Sequence, residues 1–447
     1  MIGLEAEFKP IVDGVAIVPE EYWRTPAGFV DRPLLQRTRK SSQLPTGGAL
    51  YFDGGVVEVV TPVIEIAPQC TARVVRSLWE QIGFLRDQLD RWEQRSGHSV
   101  RLEAFSCHFN ISFELPREER SAQRTVQKLA TLLINLLPVP VIVTGANRRS
   151  TGVGVRPRRE RIEITLDFTP DPGLMAATTA LIVGIVREVI TWPSYLLREL
   201  DERKIPRIAD VKAGKHPTRN GWVVRDFHFP ANPFKSDLNE RRWKLCDGRK
   251  LSLREIALEI ASAFSESIRE HSDAFSYRLL LSVLRGETPA LLDLPDRPAA
   301  YDDVGRATLW GSVLPELENF AALMADEEPP TSPRRRRADV EEKLAPPWRG
   351  EEPNRRARVT LPARVERRET HERRAEPRPQ PSPRLTRSDY EKVFIKLSSG
   401  KRLDAGGERL TPVAVKGWYH AVFATPEGEE RMLSIDQLVE LADGWRA

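Results

Sequence analysis

Apolar residues in the first 190 positions follow two periods. Alternation marks strands at Ile2–Phe8, Val15–Val18, Val56–Ile66, Arg101–Glu114, Val139–Val143 and Arg161–Phe168. Spacings of three and four, as in Leu78, Ile82, Leu85, Leu89 and Trp92, mark helices at Ala72–Arg95, Glu118–Leu137 and Pro172–Ile190. Pro138 and Pro140 are expected to end the second helix. Strands and helices in this mixture predict an α+β domain over residues 1–190.

Residues 191–325 read as a mainly helical extension of the same body, covering or extending its site. Leu251–His271 and Phe275–Leu284 are its amphipathic stretches, and Lys212–Trp222 is a basic, aromatic loop. Residues 326–389 are rich in Arg, Pro and Glu and include Arg334–Arg337, so a disordered linker is expected there. Residues 390–447 regain strand-like runs at Tyr390–Leu397, Thr411–Val415, Trp418–Ala424 and Arg431–Leu433. With a closing helix from Ser434, they resemble a small SH3-like β-barrel.

Charge alters this picture in one respect. The net charge is +4, but Thr331–Tyr390 alone holds 17 Lys and Arg against 10 Asp and Glu. The basic character therefore belongs to the linker, and the rest of the chain is net negative. Interleaved acids and scarce aromatics make that linker a solvated tether rather than a nucleic-acid arm. The most apolar helix candidate, Leu174–Val186, is interrupted by Thr178, Thr179 and Gly184 and reads as buried core rather than a membrane span. Three scattered cysteines form neither a disulfide framework nor a zinc site. With no signal-peptide pattern at Met1, a cytoplasmic protein is expected.

The polar positions inside the strands carry the chemistry. Glu5 and Glu7 share one face of the first strand, where two like charges call for a cation or for solvent. Glu58 is the one acid in an otherwise apolar run after Asp53-Gly54-Gly55, either metal-bound or on an exposed edge. His108, Asn110 and Ser112 form a polar stripe backed by Cys107, Phe109, Ile111 and Phe113. Gly152 and Gly154 precede Arg156, Arg158, Arg159 and Arg161, which suits either a phosphate-binding loop or a basic surface loop. Alternation then places Arg161, Glu163, Thr165 and Asp167 together. Together these features describe a sheet with a metal- and phosphate-binding trough.

On these motifs the chain resembles the glutamate-cysteine ligase and glutamine synthetase superfamily, and within it the amidoligase (carboxylate-amine ligase) family. The matching residues are Gly3-x-Glu5-x-Glu7-Phe8, Asp53-Gly54-Gly55 with Glu58 and Thr61-Pro62, and His108-x-Asn110-x-Ser112. The last is Arg161-Ile162-Glu163-Ile164, leading through Pro170-Asp171-Pro172. The resemblance covers residues 1–190 and departs from the glutamine synthetase pattern at Thr165, where a second arginine is usual.

It implies a curved, mainly antiparallel sheet that binds ATP with two or three Mg²⁺ or Mn²⁺ ions. Glu5, Glu7, Glu58 and Glu163 would be metal ligands. His108, Asn110, Ser112 and Arg161 would contact nucleotide, and Arg156, Arg158 or Arg161 the transferring phosphoryl group. The implied reaction joins a carboxylate and an amine through an acyl phosphate, with Asp53 or Asp167 as candidate base. A phosphotransferase, an isopeptide or amide hydrolase, and a non-catalytic nucleotide-binding scaffold are the alternatives. The C-terminal module would recruit a peptide or protein substrate, and an oligomer is compatible with the sequence.

Overall fold

The computed structural model describes residues 1–38, 41–113, 124–216, 219–306, 393, 396–397, 401–405, 407–416, 420–441 and 445–446. The chain divides into two units, 1–322 with 386–447, and 323–385. The second unit and the expected linker at 326–389 lie outside the described residues.

The first strands are β1 (Ile2–Val12), β2 (Val15–Ala16), β3 (Leu35–Thr38), β4 (Ser41–Gln43), β5 (Ala49–Asp53) and β6 (Val56–Val60), with the short helix α1 (Pro19–Tyr22) before β3. Then come α2 (Cys70–Ser96), β7 (Val100–Ser112), α3 (Val126–Ile134), α4 (Pro138–Gly145), β8 (Val153–Pro157), β9 (Arg161–Asp167) and α5 (Pro172–Thr191). The next segment holds α6 (Arg198–Glu202), the hairpin β10 (Gly214–Lys215) and β11 (Trp222–Val224), a second hairpin β12 (Trp243–Lys244) and β13 (Lys250–Leu251), and α7 (Leu253–Ala263), α8 (Ser265–His271) and α9 (Ala274–Arg285). Near the C-terminus are β14 (Arg402–Ala405), β15 (Glu408–Lys416), β16 (His420–Ala424), β17 (Glu430–Ser434), α10 (Ile435–Glu440) and β18 (Trp445–Arg446).

One sheet organises the molecule, in the order β10-β11-β8-β9-β7-β1-β6-β5-β4-β3. Every ladder in that run is antiparallel. Beyond β3 the sheet continues through β15, in parallel, at Ala414 and Gln36. The C-terminal strands thus share backbone pairing with the first region.

One sheet face is apolar: Ile2, Leu4, Ala6 and Phe8 of β1, Val57 and Val59 of β6, and Cys107, Phe109 and Ile111 of β7 are all fully buried. α2, α4 and α5 lie behind this face, and α7, α8 and α9 pack on α4 and α5 in turn. The helical extension therefore backs the core. Among its described elements, the β10–β11 hairpin extends the sheet and carries Arg219 to Asp53 on the polar face. α5 is long and apolar enough to cross a membrane, and 89% of its apolar window is buried inside the protein. Its start is fixed by Asp171, whose Oδ1 accepts from the N–H groups of Gly173 and Leu174, with Pro172 in the first turn.

Three expectations are corrected. Val139–Val143 is not a strand: Pro138 opens α4, where its missing N–H is harmless. All of α4 is buried, so its apolar run carries no period to tell helix from strand. The arginine loop after Gly152 is the hairpin of β8 and β9. The strand expected at Tyr390–Leu397 is helical at its described positions, Val393, Lys396 and Leu397. Val393 and Leu397 are both buried, an i,i+4 pair on one helix face.

Candidate active site

Register brings distant segments to the polar face. Glu7 stands opposite Glu58 of β6 on one side and Ser106 of β7 on the other. Glu5 stands opposite Val60 and His108. Tyr51 of β5 pairs with Glu58 from beyond β6. Past β7, Asn110 pairs with Glu163 of β9, and Glu163 with Arg156 of β8.

Like charges opposite each other in an antiparallel ladder repel. Burial sharpens the conflict, since Glu7 is 8% exposed and Glu58 2%. Burial, then the charges of Glu5, Glu7 and Asp53, push Glu58 up to about 9, against the hydrogen bond donated by the Tyr51 hydroxyl. Glu58 therefore holds its proton at neutral pH. Ser106 Oγ donates to Glu7.

Two overlapping ligand sets result: Glu7, Asp53 and Glu58, and Glu5, Glu58 and His108, each with atoms within 4.8 Å of one another. Carboxylate oxygens are the donors that Mg²⁺ and Mn²⁺ prefer. A divalent cation between them would offset the burial and the carboxylate repulsion that together raise Glu58, so the residues fit such an ion. His108 lies within reach, but its lone pair is engaged. Arg156 Nη2 is 3.2 Å from Nε2 and can only donate, so Nε2 accepts and Nδ1–H donates to Glu5 Oε2 at 3.0 Å. His108 thus ties the carboxylate end of the face to its arginine end.

At that end, Glu163 sits between Arg156 Nε and Arg158 Nε, each at 2.7 Å. Burial alone would raise its carboxyl; the Arg158 hydrogen bond and the Arg156 charge outweigh burial and hold it below the usual range. Glu163, expected as a metal ligand, pairs with two guanidinium groups and lies outside both carboxylate sets found among the described residues. Arg161 Nε donates to Asn110 Oδ1 at 2.8 Å near the surface. Ser112 Oγ turns to the Met1 carbonyl at 3.4 Å and does not reach the cluster.

Asp167 does not reach it either. Its oxygens accept from Asn147 N–H and Nδ2 and from Thr151 N–H. Burial raises it to about 6 against those hydrogen bonds. It anchors the 147–151 turn. Of the two candidate bases, Asp53 is the one that joins the carboxylates, with its side chain 45% exposed.

Sequence reasoning passed over four residues. Tyr51 and Ser106 were legible, since each extends an alternating stripe by one step, toward Asp53 and His108 respectively. Arg37 of β3 is partly buried near Tyr51 and Glu5, and nothing in its own segment signals that. Arg219 comes from the β10–β11 hairpin, and its Nη2 lies 3.4 Å from Asp53 Oδ2. Six strand spacings separate β11 from β5 in the sheet order, about 29 Å on a flat sheet. The sheet must curl and the hairpin tip must lean over the polar face for that contact to form.

No family model matches the chain, and no curated protein matches it. Among solved structures it is similar to the complex between the prokaryotic ubiquitin-like protein Pup and its ligase PafA. There the identity is 12% and the TM-score 0.44, over 99% of this chain and 92% of that one. It is also similar to the Pup ligase PafA in complex with ADP, at 9% identity and a TM-score of 0.41, over 92% and 91%.

Proposed function

We propose that the chain is an ATP- and divalent-metal-dependent carboxylate-amine ligase, joining an acid to an amine through an acyl phosphate. The observation that supports it is the division of one sheet face. Glu5, Glu7, Asp53 and Glu58 crowd one end, Arg156 and Arg158 line the other, and His108 bridges them. That pattern matches a metal-loaded triphosphate, whose cations need carboxylates and whose oxygens need guanidinium groups.

When bound, Mg²⁺ or Mn²⁺ would neutralise the triphosphate and polarise the transferring phosphoryl group. Arg156, held by Glu163 and His108, is pre-oriented toward developing charge on that group. Arg158, less buried, reaches the same region from the strand end. The substrate carboxylate attacks phosphorus and ADP leaves; the amine then displaces phosphate. Asp53, in the same carboxylate set as Glu7 and Glu58, would serve as a further ligand of that metal. A peptide or protein as one of the two substrates, docked through residues 390–447, belongs to this reading.

The test is ADP release by the full chain with candidate acids and amines. Release sustained over many turnovers is expected only when acid, amine and Mg²⁺ are all present, and is expected to vanish in a folded Glu7→Gln variant. Full activity of folded Glu7→Gln, or ADP release indifferent to both substrates, overturns the proposal.

A further inference from the structure

Arg219 makes a contact that the ligase chemistry above does not use. Its guanidinium reaches over the polar face to Asp53 at 3.4 Å, both side chains being about half exposed, at 46% and 45%. Asp53 belongs at the same time to the carboxylate set with Glu7 and Glu58. One carboxylate therefore serves two competing cations: a side chain of the hairpin, or a metal.

Two hydrogen bonds among the described residues tie Arg219 to the hairpin. His216 Nδ1 accepts from the Arg219 N–H at 3.1 Å, and His216 N–H donates to the Gly221 carbonyl at 3.0 Å. Gly221 has φ +141°, and a Cβ there would come within 2.7 Å of the Val155 carbonyl oxygen and 2.9 Å of the Arg156 Cα. The turn is thus seated directly on the strand that carries Arg156. Arg219 is close enough for its charge to oppose that of Arg156. It stands between the carboxylate end and the arginine end, drawn to one and repelled by the other.

We infer that Arg219 is an anion-binding residue gated by metal. Asp53 holds it while the carboxylates lack cations, and it passes to the triphosphate when Asp53 is engaged by metal. The inference rests on reading the face as a metal–nucleotide site. A half-exposed ion pair is weak and readily exchanged, which suits a contact that must be given up on each cycle. The consequence is positive coupling: metal on Asp53 frees a cation for phosphate, and phosphate on Arg219 frees a carboxylate for metal.

The test is a double-mutant cycle on the full chain, titrating ATP in EDTA and then in Mg²⁺. Without metal, Asp53→Asn should bind ATP about five-fold more tightly than wild type, the size expected for releasing one such pair. That gain should disappear when Arg219→Ala is added, because the freed cation is then missing. With Mg²⁺, Arg219→Ala alone should weaken ATP binding about ten-fold. The inference is overturned if the Asp53→Asn gain persists in the Arg219→Ala background, since general electrostatics would then explain it. It is also overturned if Arg219→Ala binds ATP with Mg²⁺ as wild type does. If wild type itself binds no ATP with Mg²⁺, the nucleotide-site reading falls, and this inference with it.

Discussion

Glu7 and Glu58 face each other in direct register across the β1–β6 ladder, both more than nine-tenths buried. Two carboxylates at the shortest distance a sheet provides, away from water, are a destabilising arrangement. The surrounding contacts moderate it without removing it. Ser106 and Tyr51 each donate one hydrogen bond, and Glu58 keeps its proton instead of its charge.

That protonation sets the stability profile. Glu58 is raised to about 9 in the folded, metal-free protein, so folded chains retain a proton that unfolded chains release. The favourable contribution is complete below about pH 4.3 and is lost as pH rises toward 9. Glu58→Gln has no such proton. The variant should therefore gain on wild type between pH 5 and pH 9, by on the order of a few kcal/mol. Urea unfolding in EDTA at both ends of the range measures this; a pH-independent difference would contradict it.

Metal binding should be coupled to the same proton. Glu58 must ionise to act as a ligand, so uptake of Mg²⁺ or Mn²⁺ near pH 7 should release about one proton per protein. Affinity should climb with pH and level off near 9, where Glu58 is already ionised. Calorimetry in buffers of different ionisation enthalpy reads the proton count, and a count of zero would be at odds with the site described.

Glu163 separates the two ends of the face. Its partners are Arg156 and Arg158, so Glu163→Gln should loosen both guanidinium groups and weaken ATP binding while leaving binding of Mn²⁺ alone unchanged. Because the Glu163 carboxyl is held low, its contribution to stability is present above the ordinary carboxylate range and lost as pH falls through its folded value. Loss of Mn²⁺ binding in the variant, followed by spin resonance, would return Glu163 to the metal ligands.

Asp167 tests the opposite boundary. Asp167→Ala removes the acceptor for Asn147 and Thr151 and should cost about 1–3 kcal/mol of stability. In folded protein, ATP and Mg²⁺ affinities should stay within about two-fold of wild type, since the cluster is built elsewhere. A selective loss of nucleotide binding with unchanged unfolding would place Asp167 in the site.

How much of this was legible follows from period and register. Alternation fixed the faces of β1, β7 and β9 and so grouped Glu5 with Glu7 and His108 with Asn110. It could not give the partner of each strand. The contacts between Glu7 and Glu58, and between Glu163 and Arg156, depend on registers chosen by core packing over long loops. α4 was misread because a run buried on every side has no polar face to reveal its period. Arg219 was out of reach because its role comes from sheet curl and from a glycine seated against Val155, neither of which leaves a mark at position 219.

The central claim is a cation site built on Glu7, Asp53 and Glu58 next to a phosphate site at Arg156. Anomalous diffraction from crystals grown with Mn²⁺ and a non-hydrolysable ATP analogue locates both directly. The account predicts manganese peaks bounded by those three carboxylates, with the terminal phosphate within reach of the Arg156 guanidinium. Manganese or nucleotide bound elsewhere, with Glu7 and Glu58 still facing each other without a cation, would contradict it.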